Sequence, residues 1–332
     1  MEILATGVQR DERPLLERAF APRHGIHCVE TFLTPDTLPL AQGYEAVCTS
    51  VNSQLDAPAL ETLVRGGTRL ITQRSTGYNN IDLAHAERLG MTVARVARYS
   101  PYAVAEFAWT LAGALNRKMV RAASRTRDFD FRLDGLLGRD FHGRTAGVIG
   151  TGAIGTAFTA IARGYGMRLL GWDITANPEC AEMGMEYVEL DRLLRESDLI
   201  SLHVPLMPST HHLLGARRLA EIKDDALLIN TSRGGLIDAE ALVETLREGR
   251  LGGVGLDVYE EEAGIFFYDK SLEVMTDDVL ARLLTFTNVL ITSHQAYYTV
   301  DAVEEIVAAT VRNVDDYLAG RITECTLIPK SP

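Results

Sequence analysis

The stretch that most constrains the fold is TAGVIGTGAIG, a short apolar run that ends in a glycine-rich turn before a helix-forming segment. Its glycines have the GxGxxG spacing. The first glycine of this pattern permits a tight turn, the second lets the backbone approach a pyrophosphate, and the third lets the helix pack close to the sheet. The helix N-terminus adds amides and positive potential. The pattern therefore predicts a dinucleotide cradle made of Gly150, Thr151, Gly152, Ala153, Ile154 and Gly155.

The surrounding sequence supports this interpretation. Six apolar segments alternate with helix-like segments, namely TAGVIG, RLLGWD, DLISLHV, ALLINTS, GGVGLDV and NVLITSH. Six strands with intervening helices are what a complete dinucleotide-binding domain requires. The second segment ends in Asp173, at the position where an acid accepts hydrogen bonds from the adenosine ribose and repels a 2′-phosphate. The cofactor is therefore expected to be NAD rather than NADP.

The first hundred residues also alternate strand-like and helix-like segments. The strand-like segments are EILATG, HCVETF, YEAVCTSV, TRLITQRS and MTVARVA. Strands separated by single helices indicate a parallel sheet covered by helices, so the fold class is α/β with two doubly wound domains. At Ser100-Pro101 one long helix is expected to begin and to run through YAVAEFAWTLAGALNRKMVRAAS. The tail ITECTLIPKSP is expected to return to the first domain.

Size and charge exclude several classes of protein. The chain has 332 residues, which suffices for two domains, and a formal net charge of -12, which opposes binding to nucleic acid or to an anionic membrane. No apolar run reaches the roughly 18 residues of a membrane span, and the N-terminus does not resemble a signal peptide. The four cysteines lie far apart and suggest neither a disulfide framework nor a zinc site. We therefore expect a cytoplasmic protein.

Three chemically useful side-chain types stand at consecutive strand ends, where doubly wound sheets bind ligands. Arg233 follows the fourth strand, Asp257 and the glutamate run Glu260–Glu262 follow the fifth, and His294 follows the sixth. Hydride transfer to a ketone builds negative charge on oxygen, and histidine can protonate that oxygen near neutral pH. A neighbouring carboxylate stabilises the protonated imidazole, and an arginine fork matches a substrate carboxylate. These residues indicate reduction of a 2-oxo acid.

The segments NTSRGG, GLDVYEEE and NVLITSHQAYYT closely resemble the D-isomer-specific 2-hydroxyacid dehydrogenases, and within that family its fermentative D-lactate branch. The similarity continues through GVIGTGAIG, HVPL, RSTGYNNID and YSPYAVAEF, and so covers nearly the whole chain. The resemblance implies a flavodoxin-like substrate-binding domain, residues 1–100 and 299–332, with an inserted NAD-binding Rossmann domain, residues 101–298. It also implies a homodimer or a dimer of dimers.

Residue roles follow from the same resemblance. His294 matches the acid/base, Arg233 the substrate-carboxylate anchor, and Glu262, five residues after Asp257, the carboxylate that supports the histidine; Glu260 and Glu261 are expected to be solvated surface charges. The substrate-binding positions are Thr76, Gly77, Tyr78, Tyr99 and Tyr297. Beyond the cradle and Asp173, the cofactor-binding positions are His203, Val204, Pro205, Thr231, Ser232, Arg233 and Asp257.

Three hypotheses for the function carry different expectations. The first hypothesis is reversible NADH-dependent reduction of pyruvate to D-lactate. A second keeps the mechanism but uses a longer or aromatic 2-oxo acid, such as 2-oxoisocaproate or phenylpyruvate. A third is an NAD-sensing corepressor, which would need no proton donor. No metal site is expected, because neither the pair His211-His212 nor the pair His24 and His27 has carboxylates or thiols in a ligand pattern.

Overall fold

A computed structural model describes residues 1–329, so the last three residues of the C-terminal segment, 330–332, lie outside the described part of the chain. The strands are short and mostly buried. They are β1 (Glu2–Ala5), β2 (Gly25–Cys28), β3 (Ala46–Thr49), β4 (Leu70–Gln73), β5 (Thr92–Arg95), β6 (Thr145–Ile149), β7 (Arg168–Trp172), β8 (Glu186–Tyr187), β9 (Leu199–Leu202), β10 (Leu227–Asn230), β11 (Gly253–Leu256), β12 (Val289–Ile291) and β13 (Thr326–Ile328).

The helices lie mostly between successive strands, as the alternating sequence pattern predicts. They are α1 (Arg13–Phe20), α2 (Ala57–Arg65), α3 (Leu83–Arg88), α4 (Pro101–Asn116), α5 (Met119–Arg127), α6 (Ala153–Gly164), α7 (Pro178–Glu182), α8 (Leu190–Glu196), α9 (Ala216–Leu219), α10 (Ala239–Arg247), α11 (Asp278–Thr285) and α12 (Val300–Leu318). Within residues 1–329, no helix is both long and apolar enough to cross a membrane.

The first compact unit contains residues 1–100 and the C-terminal segment from Tyr298. Its strands form one sheet in the order β2-β1-β3-β4-β5, all parallel, with β13 added antiparallel to β5. This is the flavodoxin-like strand order. Successive side chains of β1 point to opposite faces of the sheet. Ile3 therefore packs with α1 and α12 on one face, and Leu4 packs with α2 on the other. Helices therefore cover both faces of the sheet, and the C-terminal tail returns to it as predicted.

The second compact unit contains Pro101–Tyr297. Its seven-stranded sheet has the order β8-β7-β6-β9-β10-β11-β12 and is parallel throughout. The six predicted strands are all present. The additional strand β8 has only two residues, too few to leave a periodic signal in the sequence. Counted outward from β6, the order is that of a Rossmann dinucleotide-binding domain with one further strand, which confirms the predicted fold class.

The long helix predicted after Ser100 is wrong as a single element. It begins at Pro101 as expected but ends at Asn116, and α5 begins only at Met119. Lys118 between them has a φ of 53°, in the left-handed region that an α-helix cannot contain. The Asn116 side chain also donates to the Arg139 carbonyl and accepts from the Arg139 amide, so it is used to hold the following segment. The helix thus ends at a left-handed residue and beside a side-chain contact with a segment 23 residues later, although the apolar pattern of the sequence continues.

Candidate active site

The residues predicted to carry the chemistry follow three adjacent strands of the second unit. In the parallel register, Asn230 at the end of β10 lies beside Leu256 at the end of β11, and Leu256 lies beside Ile291 at the end of β12. The loops that begin there carry Arg233, Glu262 and His294. The sheet therefore gathers the three predicted catalytic residues at one edge.

His294 and Glu262 form a direct hydrogen-bonded pair. The distance between His294 Nδ1 and Glu262 Oε1 is 2.8 Å, and the two side chains are only 15% and 20% exposed. The other carboxylate oxygen of Glu262 accepts the Tyr259 amide at 3.2 Å, which fixes the side chain. Because Nδ1 is held by the carboxylate, Nε2 is the ring nitrogen that remains to exchange a proton with a ligand. The choice of Glu262 from the glutamate run agrees with this contact.

Asp257 is fully buried and links the ends of two strands. Its carboxylate accepts the Thr292 hydroxyl at 2.6 Å and the backbone amides of Gln295 and Ala296 at 2.9 and 2.7 Å. Its carbonyl accepts the His294 amide at 2.7 Å. Burial raises the pKa of the Asp257 carboxyl, and the hydrogen bonds from Thr292, Gln295 and Ala296 oppose that rise. Asp257 thus positions the loop that presents His294.

The Arg233 loop is fixed by contacts that the sequence does not reveal. The buried Asn230 side chain donates to the Arg233 carbonyl at 2.8 Å and accepts the Ser232 amide at 3.0 Å. At Gly234, a Cβ atom would lie 2.0 Å from the carbonyl carbon of Tyr259, so only glycine fits. The loop carrying Arg233 therefore packs directly against the glutamate-bearing loop. Asn230 is a supporting residue that the prediction omitted, although it opens the NTSRGG segment.

The prediction that Glu260 and Glu261 are both solvated surface charges is wrong for Glu260. Its side chain is 22% exposed, and its Oε1 lies 2.5 Å from His212 Nε2. Glu261 is exposed, as predicted. The partner histidine lies 48 residues earlier in the chain, so no local spacing could indicate the pair.

The glycine-rich turn has the geometry that a dinucleotide requires. Gly150 has a φ of 95°, and a Cβ there would lie 2.7 Å from the His203 backbone. A Cβ at Gly155 would lie 1.9 Å from the Gly150 carbonyl oxygen, whereas at Gly152 it would meet no heavy atom within 4 Å. The turn is thus closely packed on one side and open at its middle glycine, where α6 begins with Ala153 and Ile154. This arrangement fits a pyrophosphate at the helix N-terminus.

Asp173 is tied to the same turn. Its Oδ2 accepts the Thr151 amide at 2.6 Å and the Thr151 hydroxyl at 3.1 Å. The Asn177 side chain donates to the Thr151 carbonyl at 2.8 Å, and the Tyr187 hydroxyl donates to the Thr151 hydroxyl at 3.0 Å. Asp173 Oδ1 also accepts the Ile174 amide at 2.7 Å, so one of the about four acceptor positions of the carboxylate remains for a ribose hydroxyl. Asn177 and Tyr187 support the turn, and neither belongs to a motif that the sequence analysis used.

The remaining predicted cofactor positions lie at the ends of β9 and β10. The His203 ring is held by Ser201 at 2.9 Å, and burial lowers the pKa of His203 to about 3, so the ring is neutral near pH 7. Val204 packs in the core and Pro205 is exposed. Among residues 1–329, the buried Thr231 hydroxyl has no hydrogen-bond partner. An unsatisfied buried hydroxyl is costly, and a bound dinucleotide would supply the missing partner.

The first unit holds its own predicted residues in one loop. The Ser75 hydroxyl donates to the Gly77 carbonyl at 2.7 Å, and Arg95 donates to the Thr76 carbonyl at 2.8 Å. The Arg95 guanidinium also lies 5.2 Å from the centre of the Tyr78 ring. Arg95 thus holds the loop from two sides and is a supporting residue that the prediction missed. Two further predicted residues, Tyr99 in this unit and Tyr297 in the second, are half-buried.

Comparisons with known proteins agree with this architecture. A D-lactate dehydrogenase of Curvularia clavata is 47% identical over 308 residues, which cover 93% of this chain and 88% of that protein. The solved structure described as the pyruvate reductase of Chlamydomonas reinhardtii has a TM-score of 0.92 at 37% identity, with 97% of both chains covered. The structure of a D-lactate dehydrogenase from Aquifex aeolicus complexed with NAD and lactic acid has a TM-score of 0.88 at 32% identity, covering 99% of this chain and all of that one.

The profile of the D-isomer specific 2-hydroxyacid dehydrogenase NAD-binding domain matches residues 109–296, more than half of the chain. That range contains the glycine-rich turn, Asp173 and the three strand-end residues Arg233, Glu262 and His294. The chain is an NAD-dependent oxidoreductase and belongs to the D-isomer specific 2-hydroxyacid dehydrogenase family.

Proposed function

We propose that this dehydrogenase reversibly reduces pyruvate to D-lactate with NADH. The observation that carries the proposal is the hydrogen-bonded pair of His294 and Glu262 at the carboxyl edge of the dinucleotide-binding sheet. A corepressor that only senses NAD needs no such pair. The names of relatives that act on lactate or pyruvate support the choice of substrate.

The proton transfer is assigned to His294. NADH, when bound, supplies the hydride to the carbonyl carbon. Glu262 holds Nδ1 of the imidazole and stabilises the ring when it is protonated, and Nε2 then donates its proton to the developing alkoxide. In the direction of lactate oxidation the same nitrogen takes the hydroxyl proton. Both side chains are largely shielded from solvent, and the low local dielectric strengthens the electrostatic contact between them.

Arg233 is assigned to the substrate carboxylate. Its guanidinium presents a planar fork that matches two carboxylate oxygens and polarises the adjacent carbonyl. Asn230 and Gly234 hold its backbone, so the charge is presented from a fixed loop. We assign further carboxylate contacts to the amides of Thr76, Gly77 and Tyr78, and pocket-lining roles to Tyr99 and Tyr297. Family resemblance supports these last assignments.

A short substrate side chain is favoured by the apolar surroundings of His294. The Phe267 ring lies 6.0 Å from the His294 ring, centre to centre. A bulky ring beside the proton donor presents an apolar surface that suits the methyl group of pyruvate. Longer 2-oxo acids, such as 2-oxoisocaproate and phenylpyruvate, are the alternative.

The decisive assay measures NADH oxidation with pyruvate, 2-oxobutyrate, 2-oxoisocaproate and phenylpyruvate, followed by chiral analysis of the product. We expect the highest kcat/KM with pyruvate, and D-lactate as the product. A preference of tenfold or more for phenylpyruvate, about 1.4 kcal/mol in transition-state binding, would remove the lactate assignment. Absence of turnover with every 2-oxo acid would instead favour the NAD-sensing hypothesis.

The preference for NAD is assigned to Asp173. The Asp173→Ala variant should lose part of its discrimination against NADPH, because the carboxylate that repels the 2′-phosphate is gone. The ratio of kcat/KM for NADH to that for NADPH measures this effect. Glu179→Ala, an exposed change on α7, is the control. An unchanged ratio in Asp173→Ala would show that another group sets the preference.

We propose a cytoplasmic homodimer, or a dimer of dimers built from it. The segment after α5 exposes four large apolar side chains, Phe129, Phe131, Leu133 and Leu137, each more than 70% accessible. Exposed apolar residues in such a group are typical of subunit interfaces. The double variant Phe131→Ser/Leu137→Ser should elute as a monomer in size-exclusion chromatography with light scattering. A monomeric wild-type protein would contradict the proposal.

A further inference from the structure

His211, His212 and Glu260 form a cluster outside the proposed catalytic site. One ligand atom from each side chain, a ring nitrogen or a carboxylate oxygen, can be chosen so that all three lie within 4.8 Å of one another. Glu260 Oε1 lies 2.5 Å from His212 Nε2 and 3.6 Å from His211 Nε2. The two imidazole rings stack with their centres 4.0 Å apart. Both Nε2 atoms thus approach the same carboxylate oxygen.

From this cluster we infer a binding site for a divalent transition-metal ion of the zinc type, ligated by His211, His212 and Glu260. Two histidines and one glutamate are a ligand set that zinc uses, with a remaining position for water. Ligands about 2.1 Å from a tetrahedral ion lie about 3.4 Å apart. The His211–Glu260 distance of 3.6 Å is close to this value, and the His212–Glu260 pair, at 2.5 Å, has to open by about 1 Å to admit the ion.

The backbone holds both histidines in place before any ion binds. The His211 amide donates to the Met207 carbonyl at 2.9 Å, and the His212 amide donates to the Gly235 carbonyl at 2.8 Å. The Thr210 hydroxyl closes the preceding turn by donating to the Pro205 carbonyl. His212 has a φ of 49°, a left-handed conformation that a residue other than glycine adopts rarely. A prearranged ligand set loses less conformational entropy on binding.

A carboxylate also faces the other nitrogen of the second histidine. Asp238 Oδ2 lies 3.9 Å from His212 Nδ1, while Asp238 Oδ1 caps α10 by accepting the Ala241 amide at 3.0 Å. Metal-ligating histidines commonly direct their second nitrogen to a carboxylate, which orients the ring and raises its basicity. Asp238 is fixed as a helix cap and is therefore placed for this role.

The position of the cluster indicates what a bound ion would do. It would join the loop after β9, which carries the histidines, to the loop after β11, in which Glu260 stands two residues before Glu262. Gly234, next to Arg233, is in close contact with the backbone of Glu260. A metal ion here would therefore stabilise the loops that present Glu262 and Arg233.

The test is metal binding by the full-length protein. EDTA-treated, desalted protein is incubated with ZnCl2, desalted again and analysed for zinc by mass spectrometry, and Co²⁺ is used to detect the absorption bands of a tetrahedral site. We expect one zinc per chain, and a melting temperature raised by roughly 5 °C at zinc concentrations about 100-fold above Kd. His211→Asn and Glu260→Gln should lose the metal ion and the shift.

Matched controls separate this site from adventitious binding. His142→Asn removes an exposed histidine of the same unit, and Glu261→Gln removes the neighbouring exposed carboxylate, so both variants should retain zinc. His211→Asn leaves the His212–Glu260 contact in place and serves if Glu260→Gln does not fold. Zinc retained equally by wild type and His211→Asn would overturn the proposal, as would failure of the wild type to retain zinc or to change the Co²⁺ spectrum.

Discussion

Two histidine–glutamate pairs in the second unit each use one glutamate of the run Glu260–Glu262. The pairs differ in the histidine nitrogen that makes the contact, in their exposure to solvent and in the ring beside the histidine. Glu262 pairs with His294 through Nδ1, whereas Glu260 pairs with His212 through Nε2. The His294 side chain is 15% exposed and lies near Phe267, while the His212 side chain is 35% exposed and stacks on a second histidine. We propose that the choice of ring nitrogen and the degree of burial separate the roles of the two pairs, because a shielded pair that leaves Nε2 to a ligand suits proton transfer.

The largest effect should come from removing the two histidines in turn. Both have a φ near 50°, and asparagine tolerates this left-handed conformation, so His294→Asn and His212→Asn are matched changes. Loss of an acid/base group typically costs 10²–10⁴-fold, and we expect kcat for pyruvate to fall by about 10³-fold in His294→Asn. In His212→Asn it should fall by less than about tenfold. Steady-state kinetics of NADH oxidation measure both values. Equal losses would contradict the distinction between the pairs.

The next effect concerns Glu262 and its exposed neighbour Glu261. Glu262→Gln keeps the shape of the side chain but removes the charge that stabilises protonated His294, so we expect kcat to fall by about 10²-fold and the pH profile of pyruvate reduction to shift. Glu261→Gln changes an exposed residue and should alter neither. Kinetics across a range of pH give the comparison. If Glu261→Gln shifted the profile and Glu262→Gln did not, the catalytic carboxylate would be assigned one residue too late.

A third histidine, His203, differs from both because it is half-buried and, within residues 1–329, its ring pairs with the Ser201 hydroxyl and with no carboxylate. Burial lowers its pKa to about 3, below the unfolded value of about 6.5. Its contribution to stability is therefore complete above about pH 6.5 and is lost as the pH falls from there towards 3. Between pH 7 and pH 5, we expect the wild type to lose about 2 kcal/mol of unfolding free energy more than His203→Gln. Urea denaturation of both proteins at the two pH values measures the difference.

The two pairs also show which features of the fold and the site could be predicted from the sequence alone. The glycine-rich turn, the strand ends and the α/β fold class with a dinucleotide-binding domain follow from local sequence patterns, whereas the choice of Glu262 and the flavodoxin-like first domain follow from the family resemblance. Contacts over long separations leave no such trace. The His212–Glu260 pair spans 48 residues, and the break after Asn116 depends on a contact with Arg139. The two-residue strand β8 was missed because it is too short to show a period.

The smallest effect should come from Glu260→Gln in metal-free protein. This change weakens a partly exposed pair, so we expect a loss of about 1 kcal/mol in unfolding free energy, with kcat for pyruvate within about threefold of wild type. Urea denaturation and steady-state kinetics in the presence of EDTA measure both quantities, and Glu261→Gln provides the baseline. A loss of activity near that of Glu262→Gln would mean that Glu260 acts in catalysis. An unchanged stability would mean that the 2.5 Å contact contributes little in solution. Either result would contradict the proposed division of roles, in which Glu262 supports proton transfer by His294 and Glu260 holds two loops together.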